Sequence, residues 1–227
     1  MNSRLKCIVT AGPAYEELDE VRRLTNFSTG TLGTELANFL SDRRHEVVLL
    51  RGQGSTCRLD SRAQQTLAFT TGANLRQQLQ ELAGRGADAV FHAAAVSDFT
   101  FGQIWRRAPD GSLEKIQSAK ISTRAGTILA ELAPTSKIIA DLRIWYPSAR
   151  LIGWKYELEG DRTHAIQQAG RQLEKNRVDA CVVNGRAYGE GFGLLTEDLQ
   201  CRHFAERLLL FEALESLPAR TRASGEN

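Results

Sequence analysis

The chain has 227 residues, 29 Lys+Arg against 27 Asp+Glu, and 42% hydrophobic residues, enough for one domain, or one domain with an elaboration, around a substantial core. Balanced charge without a long basic block excludes a nucleic-acid-binding face, and no apolar run approaches the ~20 residues of a membrane helix. The first residues enter a strand without a signal-peptide stretch, and Cys7, Cys57, Cys181 and Cys201 are scattered singly, which reads as reduced thiols in the cytoplasm and no metal site.

Lys6–Thr10 reads as a short apolar strand. In the segment that follows, Gly30 and Gly33 open an amphipathic helix whose Leu32, Leu36, Phe39 and Leu40 recur on one face. Backbone N–H groups and the small hydroxyls of Ser28, Thr29 and Thr31 then gather at the positive end of that helix, a geometry that receives phosphate. The same glycines also suit a tight turn and close helix packing. Glu46–Arg51 predicts a second buried strand and Thr66–Thr71 a weaker third. Leu75, Leu79 and Leu82 mark another helix, with Asn74 as its N-cap.

Ala87–Ala95 predicts the next strand. The segment Thr100–Arg124, with Gly102, Pro109 and Gly111, shows no clear period and reads as an excursion from the sheet. Thr127–Leu132 and Arg150–Glu157 read as strands around a helix near Ser136–Trp145. A helix over Arg162–Asn176, a strand over Asp179–Asn184 and a helix over Phe204–Leu217 follow, and residues 218–227 form a flexible tail with little to bury. The alternation predicts an α/β fold: a doubly wound, mostly parallel, Rossmann-like sheet in one domain over residues 1–217. Thr10–Pro13, Ala94–Phe99 and Asn184 all follow strands, so three distant segments share the carboxyl edge where ligands bind. His92 lies inside an apolar strand as a core residue, while His45, His164 and His203 read as exposed.

Several motifs occur in a fixed order. They are Thr10-Ala-Gly-Pro-Ala-Tyr-Glu, Leu18-Asp-Glu-Val-Arg, Leu24-Thr-Asn-Phe-Ser-Thr-Gly with Gly33, Ala93-Ala-Ala-Val-Ser-Asp-Phe, Lys115-Ile-Gln-Ser, Gly153-Trp-Lys-Tyr-Glu and Val182-Val-Asn. The ordered set resembles phosphopantothenoylcysteine synthetase, the ligase domain of the DNA/pantothenate metabolism flavoprotein family, in its stand-alone form. The resemblance implies an amide ligase that activates 4′-phosphopantothenate with CTP or ATP and Mg2+ and joins the acyl-nucleotidylate to cysteine. It implies catalytic roles for Asn26 and Lys115, and acid binding by Asn26 and Arg22. Gly12, Ser28, Gly30, Gly33, Ala94, Asp98, Phe99, Lys155 and Asn184 would line the nucleotide, with no protein metal site and no flavin. It also implies a homodimer in which the lysine-bearing excursion, about 100–124, reaches across the interface. Lys120-Ile and Lys137-Ile are nearby decoys for the lysine motif.

The chain departs from the family pattern at Ala14, where a hydroxyl is usual, and at Thr31, where a basic residue is common. These departures keep open a paralogue acting on another acid or amine, and a catalytically silent nucleotide-binding protein. A nicotinamide-dependent oxidoreductase fits worse. Gly-x-Gly-x-x-Gly is missing after the first strand, and no tyrosine has a lysine four residues later.

Overall fold

The computed structural model describes residues 4–116, 120–122 and 126–217. The chain starts with β1 (Lys6–Ala11), a short hairpin of β2 (Tyr15–Glu17) and β3 (Arg23–Thr25), α1 (Thr31–Asp42), β4 (Glu46–Gly52) and β5 (Gln65–Phe69). It continues through α2 (Gly72–Ala83), β6 (Ala89–His92), β7 (Phe99–Arg107), β8 (Leu113–Lys115), β9 (Ile128–Pro134) and α3 (Ile138–Trp145). It ends with β10 (Arg150–Tyr156), α4 (Arg162–Asn176), β11 (Ala180–Asn184), β12 (Phe192–Thr196), β13 (Cys201–Phe204) and α5 (Arg207–Glu215).

Eight strands form one sheet in the order β13-β12-β11-β10-β6-β1-β4-β5. The six from β11 to β5 are parallel, while β12 and β13 add an antiparallel edge. Alternation along each parallel strand feeds two cores. Cys7, Val9 and Ala11 meet Leu36, Leu40, Leu210 and Phe211 of α1 and α5 on one face. Ile8, Leu50, Val90, Leu151 and Val183 meet α2, α3 and α4 on the other. The fold is therefore α/β and doubly wound, with helices on both faces of a mostly parallel sheet. In chain order the parallel strands run 3-2-1-4-5-6, and the winding reverses between β1 and β6.

Five expectations are corrected. The segment over Thr100–Arg124 is largely structured: β7 pairs antiparallel with β8 and β9 in a separate three-stranded sheet. The strand predicted over Thr127–Leu132 belongs to that sheet and not to the parallel one. Both faces of β7 are half-exposed, so no period-2 burial marks it. The N-cap of α2 is Thr71, whose side chain accepts from the Asn74 N–H, because the Asn74 carboxamide instead turns back to accept from Thr70 N–H. His45 is buried, with Nδ1 accepting from Leu5 N–H and Nε2 donating to Glu215 Oε1 at 2.9 Å. Residues 204–206 belong to β13 and a turn, so the last helix starts at Arg207. Residues 117–119, 123–125 and the predicted tail 218–227 lie outside the described residues.

Candidate active site

β1 and β6 lie side by side where the winding reverses, and in such sheets ligands bind in the crevice outside the carboxyl ends of the strands at that point. Ala95 N–H donates to Gly12 O and Ala14 N–H to Ala95 O, both at 2.9 Å, extending the pairing of the two strands past the sheet proper. Gly12 turns the chain away at φ 83°. The hairpin β2–β3 then carries it up and back, and Asn26 arrives over the crevice with Nδ2 donating to Ala95 O at 3.1 Å. A carbonyl only accepts, so the amide nitrogen faces Ala95. Asn26 is exposed, and that bond leaves its carbonyl and second N–H for other partners.

Gly30 is the N-cap of α1 at φ 79° and has no side chain to cap it, while Thr29 Oγ1 accepts from the Thr31 N–H at 3.3 Å. The Leu32 and Gly33 N–H groups therefore face the crevice end as uncapped donors. Gly33 packs directly on β1: a Cβ there would lie 2.6 Å from Ala11 Cβ. Ser55 Oγ donates to Thr29 O at 2.7 Å and Cys57 N–H to the same oxygen at 3.0 Å, pinning the Thr29–Thr31 turn. Ser28 is half-buried beside it. Thr31 occupies the position where a cation was expected, and its hydroxyl bonds Thr29 Oγ1 at 2.9 Å.

Beneath the crevice, Thr10 Oγ1 accepts from Ala94 N–H at 3.0 Å and contacts His92 Nδ1 at 3.0 Å. The Thr10 hydroxyl thus joins the Ala94 backbone to the His92 ring. Burial pushes the His92 pKa down to about 4, which keeps the ring neutral. Burial likewise pushes the Cys7 and Cys181 thiols up to about 12, so neither is poised as a nucleophile.

On the far rim, Asp98 is two-thirds exposed and lies 3.7 Å from Lys137 Nζ. Lys137, read in the sequence as a decoy, is the cation that pairs with Asp98 there. Phe99 begins β7 at the same rim, half-exposed. Lys155 ends β10 in an ion pair with Glu157 at 2.9 Å. Asn184 ends the neighbouring β11, one register position beyond Val183 opposite Lys155. Strand alternation sends these two side chains to opposite faces of the sheet, so they meet one ligand only over its edge.

Two predicted residues lie elsewhere. Arg22 is held in the hairpin turn, its guanidinium on the Asp19 carboxylate at 2.5 Å and on Ile121 O at 2.6 Å. That guanidinium keeps the Asp19 carboxyl well below the usual carboxylate range. Lys115 ends β8 opposite Trp105, exposed, and forms no ion pair among the described residues. Trp105 is six residues along β7 from Phe99, which puts Lys115 up to ~20 Å along the strand from Phe99 at ~3.3 Å per residue. A separate cavity of about 520 Å3 opens at the amino-terminal strand edge, lined by Arg4, Arg43, Arg44, His45 and Arg62. Arg43 and Arg62 there are paired with Glu212, Glu215 and Asp42.

Residues 3–207 match the DNA/pantothenate metabolism flavoprotein C-terminal domain. The chain is 31% identical over 186 residues to the coenzyme A biosynthesis bifunctional protein CoaBC of Thermococcus kodakarensis, covering 81% of this chain and 42% of that one. It is 30% identical over 195 residues to a cysteine/cysteine sulfinic acid decarboxylase of an unknown prokaryotic organism, covering 85% of this chain and 49% of that one. It thus spans less than half of these curated relatives. The crystal structure of a DNA/pantothenate metabolism flavoprotein from Streptococcus pneumoniae superposes with a TM-score of 0.79 at 25% identity, over 92% of this chain and 96% of that one.

Proposed function

The chain belongs to the family of DNA/pantothenate metabolism flavoprotein C-terminal domains, and from that premise we propose that it is a nucleotide-dependent amide ligase joining 4′-phosphopantothenate to cysteine. The carboxylate of the acid attacks the α-phosphate of CTP or ATP and expels pyrophosphate. The cysteine amine then displaces the nucleoside monophosphate from the acyl-nucleotidylate to leave the amide. One observation carries the reading. The Asn26 carboxamide is anchored by Ala95 O at the switch point, near the N-terminus of α1, whose N-cap is a glycine.

Each half of that geometry answers a demand of the reaction. Two anions must meet, so the α1 N-terminus and the Lys137 and Lys155 cations offset phosphate charge. The Asn26 carbonyl can accept from the attacking amine while its second N–H donates to an acyl oxygen. The protein contributes chiefly by position, since neither step needs a covalent enzyme intermediate. Mg2+ arrives on the triphosphate as part of the substrate and would neutralise it.

The separation of up to ~20 Å along β7 between Lys115 and Phe99 supports a homodimer, in which each excursion would bring its lysine to the partner's site. Exposed Phe27, Phe99, Leu113 and Leu132 on the hairpin and the small sheet supply apolar surface for that contact. The decarboxylase name of one relative describes a protein of which this chain spans under half. A silent binding protein is the reading that Thr31 favours, because it leaves the α1 N-terminus without a cation. The deciding experiment is pyrophosphate release from 4′-phosphopantothenate with CTP or ATP and magnesium, with and without cysteine. Cysteine-dependent formation of the amide supports the ligase. Nucleotide binding without release for any acid supports the silent protein.

A further inference from the structure

The Asp19–Arg22 pair makes more contacts than a hairpin turn requires. Asp19 Oδ1 accepts from Val21 N–H at 3.0 Å and Arg22 N–H at 2.8 Å, which is enough to shape the turn. Its other oxygen accepts from Arg22 Nε at 3.0 Å and from Ile121 N–H at 3.1 Å. Arg22 Nη2 donates to Ile121 O at 2.6 Å. One carboxylate and one guanidinium therefore satisfy both backbone groups of a residue about a hundred positions away, as a neighbouring β-strand would. Ile121 is 5% exposed and the Asp19 side chain 1% exposed. At the base of the same hairpin, Glu16 is buried, with Oε2 accepting from Thr100 Oγ1 at 2.8 Å and Oε1 from Gly72 N–H at 3.3 Å.

We propose that Asp19 and Arg22 are positioning residues that fix the lysine-bearing excursion to the hairpin delivering Asn26, and that Arg22 does not bind the substrate. Ile121 lies six residues beyond Lys115, and Arg22 lies four before Asn26. The contacts on Ile121 thus join the segment that carries Lys115 to the one that carries Asn26. Charge-assisted bonds are the strong class, and the planar fork of arginine is what lets one side chain reach Asp19 and Ile121 together. Glu16 sets the root of the excursion, and the Asp19–Arg22 pair sets its returning limb. The inference rests on the ligase reading only for its kinetic consequence.

The first test is hydrogen exchange at Ile121 in the unliganded full chain, comparing wild type with Arg22→Ala and Asp19→Asn and using β1 and β6 amides as reference. Exchange at Ile121 is expected to rise at least about tenfold in both variants with the reference amides unchanged. Unchanged protection overturns the proposal. The second test is kinetic. Arg22→Ala is expected to lower kcat while the KM for 4′-phosphopantothenate stays within about twofold, and Arg22→Lys is expected to follow it. The double variant Arg22→Ala/Lys115→Gln is expected to be no slower than Lys115→Gln alone, the sign of two residues acting through one element. A raised KM with intact kcat makes Arg22 a substrate ligand and overturns the proposal, as do additive losses. A wild-type chain without turnover sinks the ligase reading alone, and exchange at Ile121 still decides the positioning role.

Discussion

Asn26 is the residue whose sequence context and structural setting agree most closely, and its removal tests the site most directly. Asn26→Ala deletes a preorganised donor and acceptor; loss of one such group lowers kcat ~100- to 1,000-fold, read as pyrophosphate release against an unchanged melting temperature. Gly33 is a structural counterpart. Alanine there gains up to about 1 kcal/mol of helix propensity, but its Cβ would sit 2.6 Å from Ala11 Cβ and 3.1 Å from Thr10 O. Backbone cannot yield as a side chain does, so overpacking of ~1–3 kcal/mol wins. The urea midpoint of Gly33→Ala should fall, and so should the stabilisation by added nucleotide.

His92 makes a third residue-scale case. Its folded pKa of about 4 lies below the ordinary 6.5, so between these values the unfolded chain binds more protons. The stabilisation is whole above pH 6.5 and is lost as pH falls toward 4. In urea titrations, stability should drop across that window by more in wild type than in His92→Gln; parallel curves would contradict a buried neutral imidazole. His92 was legible as a core residue because it sits in an apolar run. The burial of His45 was not, since its partner Glu215 is 170 positions away.

At the scale of elements, legibility followed burial. Helix α4 and strands β1, β4 and β10 were placed within a residue or two, because a buried face imposes its period on the sequence. The hairpin β2–β3 was missed: its strands have three residues each and β3 is wholly exposed. The antiparallel edge of β12 and β13 was missed because its strands are short, and in β13 no residue is fully buried. Capping was misjudged by three residues at α2, where Thr71 and Asn74 are both good caps by type and only the direction of their bonds decides. Thr71→Ala should therefore cost ~1 kcal/mol in thermal unfolding, with the mate substitution Asn74→Ala costing less at the helix start. An equal or reversed order would return the cap to Asn74.

The whole molecule joins a rigid doubly wound sheet to a small antiparallel sheet that presents Phe99, Leu113 and Leu132 to solvent. A homodimer closed through that surface should dissociate in sedimentation when Leu113 and Leu132 are changed to Glu, with the far-ultraviolet spectrum retained and turnover falling with the dimer. A monomeric wild type with full activity would contradict delivery of Lys115 to a partner. Sequence alone determined the α/β class, the two covered faces of the sheet and the gathering of Thr10–Pro13, Ala94–Phe99 and Asn184 at its carboxyl edge. These follow from local periodicity and from the topology that periodicity allows. Only the tertiary structure decided that Arg22 grips Ile121, that Lys137 meets Asp98, and that Lys115 stands opposite Trp105, along β7 from Phe99. Those facts depend on which distant segments touch. Polar side chains carry no period, so their partners are chosen by the packed chain and not by the residues beside them.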